Sequence, residues 1–328
     1  MRPAKVPNGR ESEIDRSDKR VTRRQYLAMM AGTVAATLAR GRCLGENGRA
    51  TLRLAVSVET LAGANVNDAR AAYRVWLGEV RGQLGIAAAE PVPGIFIPSE
   101  ELIRGFRQGT IDCCGITALE FFKVADLTDP DSLVIQDYLA DGIEYVLLVH
   151  KSSPFKRIAD LRNARIVSHL HRDMVLLPAW QDTMLAANNL PEADHFFGSQ
   201  ERSDRLNQVV LPVFFRRMDG ACLARRSWET AVELNPQLGR DLWPLAVSPR
   251  IIPIIFAFRR TTTPSARKSL IDSIQRINTI PAGQQIVALF QSREFVVRPT
   301  SFMAGTVEMV RQFERLPAQQ ANARKGPA

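Results

Sequence analysis

The chain has 328 residues, 45% of them hydrophobic, and a formal net charge of +9. That charge alone would suggest a polyanionic partner, but residues 1–42 hold ten basic and four acidic side chains, Arg324 and Lys325 lie in the tail, and residues 43–315 balance 31 basic against 30 acidic. A near-neutral body leaves no electrostatic footprint for nucleic acid, and four cysteines are too few for a disulfide-built scaffold.

The first recognisable element is Thr22-Arg23-Arg24-Gln25-Tyr26-Leu27, followed by a mostly apolar run to Ala39. Two adjacent arginines before such a run have the form of a twin-arginine export signal, so residues 1–42 are expected to be a signal peptide and the mature protein periplasmic. The run is shorter than the roughly 20 apolar residues that span a bilayer. Arg42 precedes Cys43 where a lipoprotein site carries a small residue, so no stable membrane anchor is expected.

The body begins with an apolar run, Leu52 to Val58. Apolar residues then recur at Val66, Ala69, Tyr73, Trp76, Val80 and Leu84, spacings that place them on one helical face. Ser99-Glu100-Glu101 opens a helix that buries Leu102, Ile103 and Phe106 and ends at Gly109. Ile111 to Ile116 reads as a buried strand, with one of Cys113 and Cys114 buried and the other half-buried, because strand side chains alternate faces. Thr117-Ala118-Leu119-Glu120 is a capping box that starts the next helix.

Further along, strands are expected at Ile143 to His150, Arg165 to Ser168, Asp194 to Gly198, Gly220 to Ala224, Leu245 to Val247 and Ile251 to Phe258. Helices alternate with them: Met174 to Asn189 with Pro178 in its first turns, Leu206 to Arg217 kinked or shifted by Pro212, and Arg226 to Leu234 stopped by Pro236. Thr263-Pro264 starts another helix, and Pro281 to Phe290 and Met303 to Leu316 are the last. Residues 317–328 read as a polar, disordered tail. Such alternation gives an α/β fold with mostly parallel sheets flanked by helices. Ligands of these sheets sit beyond the carboxyl ends of the strands.

Four segments carry a resemblance. They are Leu52 to Val56; Glu101 to Asp112; Tyr145 to Lys151 with Ser153 and Ile158 to Arg162; and Arg217-Met218-Asp219-Gly220-Ala221 followed by Asn235-Pro236 and Ser248-Pro249. In this order they resemble the periplasmic substrate-binding proteins of phosphate, phosphite and phosphonate ABC transporters. The resemblance implies a two-lobed type II periplasmic-binding fold with a ligand cleft between the lobes. Lobe one would be residues 51–147 plus 250–316, and lobe two residues 148–249. The implied function is capture of a small anion for an ABC permease. The alternative is a periplasmic sensing or partner domain, acting on a sensor ectodomain, that has lost the transport ligand.

One departure from the family pattern stands out. Where the family binds phosphonate oxygens with a Ser-Thr-Ser-Gly run, this sequence has His171, Arg172, Asp173 and Met174. The family's aromatic over the ligand falls on Phe121. No acidic group follows Ser248-Pro249 to meet an amine, which argues against aminoethylphosphonate. Ligand contact is therefore assigned to Ser57 and Thr60 after the first strand, to Thr117 and Phe121, and to Ser168, His169, His171, Arg172 and Asp173. Each has a plainer reading: Thr117 as a helix cap, and His169, His171 and Asp173 as a polar loop at the cleft rim. Alternating His, His and carboxylate could also ligate a metal, but no fourth ligand is identified and neither metal nor cofactor is assigned. No catalytic motif such as G-x-S-x-G or H-E-x-x-H occurs, so no enzymatic activity is expected.

Overall fold

The computed structural model describes residues 52–61, 65–67, 69–71, 89–136, 139–281, 284 and 293–324. The export signal lies outside these residues, as do most of the helix expected from Val66 to Leu84 and that from Pro281 to Phe290.

The chain opens with β1 (Leu52–Ser57) and β2 (Ala89–Ile97), then α1 (Ser99–Gln108), β3 (Cys113–Thr117), α2 (Ala118–Phe122) and β4 (Leu133–Gln136). The second region holds β5 (Tyr145–His150), β6 (Arg165–His169), α3 (Leu177–Ala187), α4 (Ala193–Phe196), β7 (Ser199–Ser203), α5 (Leu206–Phe214), β8 (Gly220–Ala224), α6 (Arg225–Leu234), α7 (Pro236–Asp241) and β9 (Leu242–Val247). The chain then returns through β10 (Ile254–Phe258), α8 (Pro264–Gln275), β11 (Phe295–Arg298) and α9 (Ala304–Arg324).

Two sheets result. The first has six strands in the order β11-β4-β10-β3-β1-β2, and the second five in the order β7-β6-β8-β5-β9. The sheets are mixed rather than mostly parallel. β1 runs parallel to β2 and β3, and β6 parallel to β7 and β8, while β5 and β10 are antiparallel to their neighbours. The reason is topological: β5 is the first strand after the chain enters the second sheet, and β10 the first after it returns to the first sheet. The division expected between residues 147 and 148 falls inside β5, which pairs with β8 and β9 from Tyr145 onward. The chain therefore changes sheets before Tyr145 and returns between Val247 and Ile254.

The two connections are joined to each other. Ile143 N donates to Ile251 O at 2.8 Å, and Ile251 N to Ile143 O at 2.9 Å. Thr306 Oγ1, in the first turn of α9, accepts from Ile252 N at 2.8 Å. A Cβ at Gly305 would overlap the Arg250 carbonyl oxygen, so this helix start needs glycine for its close approach. From there α9 packs against α3 of the second region. Its backbone stays helical through Pro317 to Arg324, beyond the point where the sequence suggests a disordered tail.

Local chemistry explains most elements. In α1, Leu102 and Phe106 are fully buried on one face, Glu100 and Glu101 occupy the first turn, and Gly109 closes the helix at φ 74°. Pro178 sits at the start of α3, where its missing N–H costs nothing. Pro212 falls inside α5, in its last turn, two residues before the helix ends at Phe214. The strand expected at Asp194 to Gly198 is instead α4, whose first N–H, from Ala193, donates to Asp182 Oδ1 at 2.9 Å. The strand follows as β7, a polar edge strand without the hydrophobic alternation that reveals strands in sequence. β2 is also an edge strand, and it tolerates Pro91 and Pro93 for that reason.

Cys113 and Cys114 are both fully buried, not one buried and one half-buried. The first sheet is covered on both faces: Cys114 belongs to the large central core, and Cys113 to a separate core with Leu52, Leu54 and Phe258. Burial pushes both thiols well above the usual range and pushes Cys222 up to about 12. The three are free cysteines, and as protonated thiols they are chemically inert.

Candidate functional site

The carboxyl ends of the parallel strands define one edge of each sheet, and the residues expected to bind ligand lie along those edges. In the first sheet, β1 ends at Ser57 and β3 at Thr117, side by side through the pairing of Val56 with Gly115. Thr117 caps α2, its Oγ1 accepting from Glu120 N at 3.3 Å. Glu120 reciprocates: its Oε2 accepts from Thr117 N at 2.8 Å and lies 2.9 Å from Thr117 Oγ1. Its Oε1 accepts from the Ser57 hydroxyl. Thr60 Oγ1 donates to the Ser57 carbonyl at 2.7 Å.

The hydroxyls of Ser57 and Thr117 are thus brought together around a carboxylate of the protein itself, while that of Thr60 is taken by the Ser57 carbonyl. Glu120 is 3% exposed. Among the described residues no Lys, Arg or His forms an ion pair with it. Sequence reasoning treated Glu120 only as the second half of a capping box. Nothing local in the sequence signals that Ser57, 63 positions earlier, shares its carboxylate. Phe121 is buried edge-to-face against Phe122, with ring centroids 5.5 Å apart, as part of the central core.

In the second sheet, β6 ends at His169 and continues into a 3-10 turn, Arg172–Met174. The rings of His169 and His171 stack, with centroids 5.4 Å apart and planes 16° from parallel. His171 Nδ1 accepts from Asp173 N at 3.3 Å and lies 3.5 Å from Asp173 Oδ2. Arg172 Nε is 4.0 Å from Asp173 Oδ1. Asp173 is 2% exposed, and the Tyr145 hydroxyl donates to its carbonyl oxygen. Tyr145 packs edge-to-face on Trp180 of α3, centroids 5.9 Å apart, so the turn is braced by β5 and α3 together.

His169 is buried, and its Nδ1 has no hydrogen-bond partner. Burial, then the adjacent His171, push its pKa below 6.5 against the opposing pull of the Asp204 backbone and the Asp173 and Asp204 carboxylates. Ser168 points the other way: its hydroxyl lies against the Cys222 thiol across the β6–β8 pair, and so does not share the edge with His169. Among the described residues no group of three or more His, Cys, Asp or Glu side chains is placed to hold a metal ion.

A cavity of about 480 Å³ opens elsewhere in the second region, between α6, α7 and β9, with Trp228 and Trp243 beside Lys151, Glu229 and Glu233. None of the residues expected to bind ligand lines it. The Lys151 ammonium is occupied by the Gly239 carbonyl at 3.2 Å.

The model of the family described as ABC transporter, phosphonate, periplasmic substrate-binding protein matches residues 67–298, a span that reaches into both sheets. The chain belongs to this family of phosphonate-binding periplasmic proteins of ABC transporters. Solved structures agree on the two-lobed α/β fold. A binding protein component of an ABC phosphonate transporter from Pseudomonas aeruginosa is 14% identical, with 81% of this chain and 87% of that chain covered and a TM-score of 0.51. PhnD1 of Prochlorococcus marinus, in complex with methylphosphonate, is 17% identical over 81% of this chain and 99% of that chain, with a TM-score of 0.52. A Xanthomonas citri protein bound to chloride ion is 16% identical over 82% and 99%, with a TM-score of 0.53. No curated protein matches the chain. Among the described residues no helix is long and apolar enough to cross a membrane.

Proposed function

We propose that this family member captures a small phosphonate- or phosphate-like anion in the cleft between its two sheets and presents it to an ABC permease. The observation that carries this reading is the match of the family model over residues 67–298, which takes in Thr117 of the first edge and the whole β6 edge. The chemistry at the β6 edge supports it. Arg172 is the cation nearest the position where the family places its oxyanion donors, and its guanidinium suits a tetrahedral oxyanion. His171 stands beside it. Domain closure would pivot where Ile143 pairs with Ile251, the antiparallel bridge between the two crossing segments. The export route fits the twin arginines. With Arg23 and Arg24 both changed to Lys, the folded protein should stay in the cytoplasm, as read by fractionation; its undiminished appearance in the periplasm would refute that route.

The binding test is calorimetry of the folded mature protein against phosphate, phosphite, methylphosphonate and sulfate. Saturable binding of at least one anion supports the reading, and no binding to any member of the panel overturns it. One observation favours a second reading, a periplasmic partner domain without a transport ligand. The hydroxyls of the first edge are already spent on Glu120, and the Asp173 amide on His171. A pull-down that returns a sensor ectodomain and no permease would decide for it.

A further inference from the structure

We propose that Glu120 sets the charge preference of this binding site, holding the first-edge donors that would otherwise meet a ligand oxyanion and repelling dianions from that half of the cleft. The inference rests on the anion-binding reading above. Three donors converge here: the Ser57 hydroxyl, the Thr117 hydroxyl and the Thr117 N–H. Grouped donors of this kind at the carboxyl ends of parallel strands are what a phosphoryl or sulfonyl oxygen needs. Both Glu120 oxygens occupy them instead, at 3% exposure and with no basic partner among the described residues. A buried carboxylate without a counter-charge is costly unless it is fully hydrogen-bonded. Ser57 and Thr117 provide that bonding, so they are not available to a second anion. An oxyanion approaching this edge must either displace the carboxylate or lie beside a like charge in a poorly screened site. The ligand that fits therefore places its anionic group at the second edge, near Arg172. It turns a neutral, hydrogen-bond-donating or cationic end toward Glu120.

The experiment compares the wild-type protein with Glu120→Gln, Glu120→Asp and Arg172→Ala by calorimetry against sulfate and inorganic phosphate, with circular dichroism checking the fold of each. Gln keeps the shape and loses the charge; Asp keeps the charge. We expect Glu120→Gln to bind sulfate at least about tenfold more tightly than wild type, and Glu120→Asp to show no gain. Unchanged or weaker binding by Glu120→Gln overturns the proposal, as does an equal gain in Glu120→Asp, which would make the effect steric. If Arg172→Ala weakens binding while Glu120→Gln brings no gain, the anion-binding reading stands and the charge preference falls. If no variant binds sulfate or phosphate, the charge preference falls, and the anion-binding reading falls with it only if phosphite and methylphosphonate also fail to bind the wild-type protein.

Discussion

The two strand-end edges, β1–β3 and β6, are built to opposite electrostatic plans. At the β1–β3 edge, small hydroxyls surround one buried carboxylate, and no cation answers it among the described residues. At the β6 edge, an imidazole pair, a guanidinium and a carboxylate lie within one short turn, and opposite charges are close to each other. Most polar groups at each edge already have partners, His169 Nδ1 excepted, so neither is a ready-made row of free oxyanion donors. They differ in what a ligand there would feel: a carboxylate on one side, and on the other a mixed patch that holds Arg172. On the proposal above, a two-lobed binder with such edges would discriminate by which end of the ligand faces which lobe.

Substitutions can break this contrast. The largest effect is expected at the cationic edge: Arg172→Ala should weaken anion binding by about 1.5–3 kcal/mol, the worth of a charge-assisted hydrogen bond. Unchanged affinity by calorimetry would remove Arg172 from the site. Next in size is a stability difference. Asp173→Ala takes away the buried partner of His171 and Arg172 and should cost about 2 kcal/mol in urea unfolding, whereas Glu120→Gln, on which no cation depends, should cost less than about 1 kcal/mol. Equal losses would mean that the two carboxylates play the same part.

A smaller effect is expected from pH. His169 has its pKa lowered in the fold, so the unfolded chain binds more protons below about pH 6.5. The contribution of neutral His169 is then fully present above pH 6.5 and is lost as pH falls toward its folded value. Unfolding midpoints of wild type and His169→Gln should converge on acidification through that window; parallel curves would show that His169 does not titrate with folding. The smallest effect is at Ser168, whose hydroxyl faces Cys222 within the sheet. Ser168→Ala should change anion affinity by no more than about twofold, and a larger loss would place Ser168 back on the ligand edge.

How much of this was legible in the sequence varies with the range of the interactions. The capping box at Thr117, the stop of α1 at Gly109 and the tolerance of Pro178 at the start of α3 were readable because caps and breakers act over a few residues. The exchange of an expected strand at Asp194 for α4 followed by β7 was not. An edge strand has little to bury, and its pairing with β6 comes from 34 positions away. The site shows the same division. The His171-Arg172-Asp173 departure stood out as a local substitution of the family's hydroxyls, while Glu120 was missed because its meaning depends on Ser57 arriving from β1. Phe121 and Ser168 were assigned to the ligand by position along the chain, and their contacts with Phe122 and Cys222 come from the fold.

The sequence by itself determined the class of the protein: an α/β body with balanced charge, helix and strand signals in alternation, and an order of short segments that belongs to one transport family. Those properties are written in periodicity, capping chemistry and composition, all of them local or additive along the chain. Only the tertiary structure decided which strands crossed between the sheets, that Cys113 and Cys114 serve two different cores, and that a carboxylate holds the donors of the first edge. Each of these is a contact between residues far apart in sequence. The free energy of such contacts comes from burial and from pairing across strands, which no single stretch of the chain carries alone.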